Sequence, residues 1–202
     1  MIVYVDLHAH ASKRGCFMFG NNLKGEEQLK NMLLPRLVSM NSLNFDFLEC
    51  AFSDKLMKCK DKKDGLSREG SGRVSIMRAT DELPNCYTLE CNYASGKRLN
   101  HLFPKFNKKT EKVETEAYIT DEKSLFYHEY KDEDQSPPYN IQVFEDVGKA
   151  FCIGLLDFIE QNPISRLTIS PYKNLEGVRK DILSKNPIFI PKKKEPEIIE
   201  VK

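Results

Sequence analysis

The chain opens on an apolar, largely β-branched run from Ile2 to Val5. That pattern predicts a buried strand of a parallel or mixed sheet. The stretch Asp6-Leu7-His8-Ala9-His10 is then expected at the carboxyl end of the strand, where ligands bind in open α/β sheets. Lys24 to Met40 reads as a helix, because Leu29, Met32, Leu33, Leu37 and Val38 recur near a 3.6-residue period. Pro35 within it is expected to kink or re-phase it. Phe45 to Leu48 reads as a short extended piece, and Val74 to Thr80 as a short helix. Cys86 to Tyr93 alternates and is rich in strand formers. Tyr139 to Gln161 carries the most regular helical pattern, with Ile141, Phe144, Val147, Phe151, Leu155, Phe158 and Ile159 expected on one buried face. Asn162-Pro163 should end it.

Three stretches break the pattern. Lys58 to Gly72 is polar and punctuated by Gly and Ser, a surface loop. Residues 97–138 are densely charged with little periodicity, which predicts an insertion, either a hairpin or a mobile loop. Residues 176–202 form a C-terminal extension whose Lys/Glu/Pro-rich end is expected to be disordered. No internal repeat is visible.

Composition narrows the class. With 202 residues, 40% apolar and 30% charged, the chain suits one soluble globular domain with a real core. Its 31 basic and 30 acidic residues nearly cancel, so nothing in the charge points to a nucleic-acid or membrane partner. No apolar run approaches the ~20 residues of a transmembrane helix. The six cysteines form no CxxC pair and no secretory signal precedes them, so they read as reduced thiols packed in an intracellular protein. A chain that begins inside a core strand is also expected to lack an N-terminal portion of its domain.

Few residues are candidates for chemistry. His8 and His10 alternate on a strand, so both imidazoles can face one site. Imidazole is a standard zinc ligand, but two cannot complete a site, and the spacing leaves a metal pair and a hydrogen-bonding pair both open. Glu90 interrupts an apolar strand pattern and lies either in a cleft or on an outward face. Arg68 and Arg73, in Ser-Arg-Glu-Gly-Ser-Gly-Arg, can hold a carboxylate or be solvated loop charges. That loop lacks the GxxxxGK[ST] spacing of a phosphate cradle.

Three segments together resemble one family. Asp6 through Asn21, DLHAHASKRGCFMFGN, is similar to the DxHGHSxKxxxFMYGN signature of the cytosolic carboxypeptidases, which are zinc metallocarboxypeptidases. Asp64-Gly65 through Glu69-Gly70-Ser71-Gly72-Arg73-Val74 resembles the loop that follows there, and Tyr87-Thr88-Leu89-Glu90 resembles the family's YTLE segment. The resemblance implies the C-terminal half of a metallocarboxypeptidase catalytic domain over residues 1–175, an α/β fold with a mixed sheet flanked by helices, and one zinc ion per complete domain. It implies His8 as a zinc ligand, His10 as its neighbour and Glu90 as the general base and acid. Arg73 would contact an acidic side chain. The implied partners are polyglutamylated protein tails, tubulin above all, trimmed of C-terminal or branch-point glutamates in the cytoplasm, with association to microtubules a further implication. The family's other two zinc ligands come from an HxxE motif upstream, and no HxxE occurs in these 202 residues. The chain alone is therefore expected to be inactive. Two other readings remain open at this stage. One is a truncated, non-catalytic binding protein. The other is an HxH hydrolase of the amidohydrolase or phosphoesterase type, in which both histidines would bind metal.

Overall fold

The structure is a computed structural model and describes residues 1–53, 71–114, 127–129 and 136–186. The loop expected from Lys58, including Asp64-Gly65 and Arg68, falls mostly outside the described residues, as does the tail from 191. The described elements mix strands with four α-helices, in agreement with the α/β expectation.

Its centre is a three-stranded sheet in the order β1-β3-β2. β1 (Tyr4–His10) runs parallel to β3 (Cys86–Asn92), and β2 (Cys16–Gly20) runs antiparallel to β3. β3 is nearly continuous in burial, because a central strand has neighbours on both edges. β1 departs from expectation. It starts at Tyr4 and continues through His10, so the His-Ala-His stretch lies within the strand rather than beyond it. It is half-buried to exposed, with Leu7 71% accessible, because among the described residues β1 pairs on one edge only.

Helix α1 (Gly25–Ser39) covers one face of this sheet. It is buried nearly all round: Leu29, Met32, Leu33, Leu34, Leu37 and Val38 join Met18, Tyr87 and Leu89 in the core. Pro35 sits inside it without ending it, since the helix runs on to Ser39. Phe45 makes a bridge to Cys16, and Phe47–Glu49 form a 3-10 turn capped by Asp46, where an extended piece was expected. Helix α2 (Gly72–Ala79) packs on β1 and β3. It begins two residues before the expected Val74, which places Arg73 in its first turn instead of in a loop. Gly72 is needed there, because a Cβ would come within 2.5 Å of the Tyr4 hydroxyl.

Helix α3 (Ile141–Phe158) bears out part of the expected buried face: Val147 is buried and Phe151, Leu155 and Phe158 pack against the core, whereas Phe144 and Ile159 are exposed. The seam against α1 consists of Val147, Ala150, Gly154 and Asp157, while Ile141 is 69% exposed. Small residues let the two backbones approach closely: a Cβ on Gly154 would meet Val38 N at 3.0 Å. Asp157 is tolerated in this seam because Asn41, Asn162 and Ser165 donate to it at 2.7–3.0 Å. Helix α4 (Leu175–Lys185) sends Val178 and Ile182 into the same core as α1.

The described parts of the charged insertion form strands. β4 (Arg98–Asn100) pairs with β7 (Tyr127–Glu129). β5 (Lys105–Asn107) and β6 (Lys112–Glu114) form a hairpin that adds to β8 (Ile164–Ser165).

Candidate functional site

Strand periodicity sorts the central sheet into two faces. Cys16, Met18, Tyr87, Leu89 and Cys91 point toward the α1 core. The other face carries Asp6, His8 and His10 from β1, Thr88 and Glu90 from β3, and Phe17 from β2. Register does the rest. His8 is directly opposite Glu90, and Phe17 is opposite Glu90 on its other side. Cα partners on neighbouring strands lie about 5 Å apart, so the 82-residue separation of His8 and Glu90 closes to one inter-strand step. Glu90 thus sits between an imidazole and a phenyl ring and is only 8% exposed.

His8 is the open side of the pair, with a side chain 54% accessible. Its Nε2 lies 3.2 Å from Oδ2 of Asp6, two residues back on the same face. With the ring proton on that side, Nδ1 keeps its lone pair and is the atom able to take a metal. His10 is committed differently. Its Nδ1 accepts the backbone amides of Ser12 at 3.3 Å and Lys13 at 2.9 Å, which holds the turn out of β1. Asn92 ties that turn down further, donating to the carbonyls of His10 and Lys13 at 3.1 and 3.0 Å. Phe17 is covered by the edge of His10 and by Lys13, whose ammonium lies 4.3 Å from the ring centroid.

Arg73 comes down onto the same face from α2. It is 5% exposed, and its guanidinium donates to Thr88 Oγ1 at 3.2 Å. Thr88 is two residues from Glu90 and opposite Asp6. Of the residues singled out in the sequence, His8, His10, Glu90 and Arg73 therefore lie on one sheet face, while Arg68 falls outside the described residues. A cavity of about 350 Å³ between α1, the 3-10 turn and α4 is lined by Arg36, Asp46 and Arg98, and His8, Glu90 and Arg73 are not part of its lining.

Sequence reasoning gave no role to Asp6, Thr88 or Phe17. The signal for Asp6 was available, since an Asp-x-His spacing on a strand puts both side chains on one face. Thr88 and Phe17 depend on long-range register, which spacing cannot supply.

The donor set is partial. Among the described residues no group of three His, Cys, Asp or Glu side chains could hold a metal ion. His8 fits as one donor, and among the described residues nothing completes the set.

No family model matches the chain. It is 43% identical over 183 residues to cytosolic carboxypeptidase-like protein 5 of Danio rerio, a match covering 89% of this chain. The protein of the same name from Homo sapiens is 40% identical over 183 residues, 87% of this chain. Cytosolic carboxypeptidase 6 of Homo sapiens is 29% identical over 93 residues, 46% of this chain. The chain spans about a fifth of the length of the first two, 19% and 18% respectively.

Proposed function

Because the chain belongs, over nearly nine-tenths of its length, to the cytosolic carboxypeptidases, a family of hydrolases, we propose that it supplies one half of a zinc metallocarboxypeptidase site. The observation that carries this reading is the register of His8 against Glu90 on adjacent strands. His8 would hold the zinc through Nδ1, with Asp6 fixing the ring. Zinc, when bound, polarises a scissile carbonyl and lowers the pKa of its water. Glu90 stands one strand away, where a carboxylate can take a proton from an attacking water and pass it to the leaving amine. Its near-complete burial keeps bulk water from competing for that proton.

The substrate in this reading is the C-terminal or branch-point glutamate of a polyglutamylated protein tail such as that of tubulin, met in the cytoplasm. Arg73 supports an acidic substrate, because its guanidinium brings a fixed positive charge beneath the face that carries Glu90. The 202 residues contain one of the family's three zinc ligands, and one imidazole cannot fix a metal's geometry. The isolated chain is accordingly expected to release no glutamate.

The test joins this chain to the HxxE-bearing segment of its relatives and measures zinc-dependent release of glutamate from a polyglutamate peptide. Glu90→Gln should lower kcat by at least 10²-fold with folding intact. Full activity in that variant removes Glu90 from the mechanism. Binding of the tail peptide without zinc and without turnover would favour a non-catalytic binding protein, the reading suggested by the single imidazole.

A further inference from the structure

The sheet face opposite Glu90 carries a pair of thiols that the hydrolytic reading does not use. Cys16 on β2 and Cys91 on β3 are register partners on antiparallel strands. The amide of Asn92 donates to the carbonyl of Gly15 at 3.0 Å, one residue outside the pair on each strand. That bond identifies Cys16 and Cys91 as a non-hydrogen-bonded pair, the closely spaced kind, with Cα atoms about 4.5 Å apart and side chains turned together. Disulfides span Cα separations of about 4.4–6.8 Å. The register therefore puts the two side chains on the same face of adjacent strands, within the span of a disulfide.

We infer that Cys16 and Cys91 form an oxidation site, in which a hydroperoxide converts the thiol pair to a cross-strand disulfide. The two cysteines are unequal in a way that orders the steps. Cys91 is half-buried at the end of β3, whereas Cys16 is fully enclosed between the sheet and α1. The hydrogen bond from Cys16 draws the Cys91 thiol below its ordinary range, against the opposing effects of burial and Glu90. The Cys16 thiol is pushed up by the same bond and by burial. Cys91 is thus the attacking sulfur. Its thiolate takes one oxygen from the peroxide, whose other oxygen leaves as alkoxide or hydroxide and is protonated. Cys16 sulfur then displaces the sulfenic hydroxyl, which departs as water with the Cys16 proton. Two thiols and one hydroperoxide give one disulfide, one alcohol and one water.

Selectivity follows from the surroundings. Cys50 is engaged elsewhere, accepting from the Met18 amide at 3.2 Å and donating to the Asp46 carbonyl at 3.6 Å. Cys86 is buried at the far end of β3, and Cys152 lies on α3. The bond would close one residue from Glu90 on β3 and one residue from Phe17 on β2, riveting the two strands beside the candidate site.

The experiment exposes the full chain to hydrogen peroxide at neutral pH, blocks remaining thiols, digests without reduction and maps the peptides by mass spectrometry. The expected product is one peptide pair joined through Cys16 and Cys91, two hydrogens lighter than the sum and released by dithiothreitol. In Cys16→Ala a sulfenic-acid trap should label Cys91 several-fold more strongly than in the parent, because the resolving thiol is gone. Joining of Cys91 to Cys59 or any other cysteine overturns the inference. So does oxidation of Cys91 to the sulfinic acid without a link, or absence of any reaction. The parent map needs no substitution, so a folding failure of the variant leaves the test intact.

Discussion

Asp6 takes the Nε2 side of His8 at 3.2 Å, and the proton shared there leaves Nδ1 as the only ring nitrogen with a lone pair. A carboxylate in that position holds the plane of the imidazole. Asp6→Asn keeps the shape but removes the charge, and its amide can present N–H to the ring and drive the proton to Nδ1. In the reconstituted domain, zinc affinity measured by chelator competition should fall about 10–100-fold. Equal affinity would show that Asp6 has no hold on the ligand. The candidate residues themselves were legible in the sequence because the chemistry demands rare types: a strand with two histidines and a carboxylate in an apolar run both break the ordinary pattern. What spacing could not supply was their meeting. His8 and Glu90 are neighbours only because β1 and β3 pair in parallel with that register, a consequence of the core side chains Val5, Tyr87 and Leu89 all turning the opposite way.

At the level of elements, α3 shows how a correct helix can be assigned its buried face only in part. Its large residues suggested the stripe, and Val147, Phe151, Leu155 and Phe158 do pack on the core, yet the closest approach to α1 runs through Ala150 and Gly154, which size did not single out. The deciding quantity is backbone distance. α1 is already buried on almost every side, so α3 can join it only by bringing its own backbone close, and that selects small residues. A Cβ on Gly154 would stand 3.0 Å from Val38 N, 3.1 Å from Val38 Cγ2 and 3.3 Å from Leu37 C, contacts with a helix backbone that cannot step aside. Gly154→Val should therefore destabilise the fold by about 1–3 kcal/mol despite the better helix propensity of valine. A urea midpoint equal to or above that of the parent would show that the helices can part without cost. The other elements were readable in proportion to their periodicity. The boundaries of α1 and β3 lie within a residue of expectation, whereas Phe45 to Leu48 was too short to tell an extended piece from the capped 3-10 turn that Asp46 makes.

On the scale of the whole molecule, the start of the charged insertion acts as a structural clamp. Arg98 reaches Asp46 at 2.7 Å, Glu49 at 2.9 Å and Glu129 at 2.8 Å, while Lys13 and Lys97 converge on Glu49 at 3.0 and 2.8 Å. One carboxylate thereby joins the turn after β1, the 3-10 turn and the start of β4. Charge content alone could not reveal this, since opposite charges scattered over 80 residues look the same whether they face water or each other. Burial pushes the Glu49 carboxyl up, but hydrogen bonds from Lys97, Arg98 and Lys13 outweigh it and hold it down at about 2, below its ordinary 4.5. A carboxylate depressed in the folded state contributes stability that is present above pH 4.5 and is lost as the pH falls toward 2. Asp46 runs the other way, because burial raises its carboxyl in spite of Arg98. It remains in both proteins when Glu49→Gln is compared with the parent, so to first order its effect cancels in the difference. The variant should be less stable than the parent at neutral pH, and the gap in urea midpoints should shrink as the pH falls from 4.5 to 2. A gap that stays constant across that window would mean that Glu49 acts through packing alone. A gap that vanishes in high salt at neutral pH would place the clamp among exposed ion pairs, which are worth little. Persistence in salt is expected, because Asp46 and Arg98 at its centre are 3% and 10% exposed.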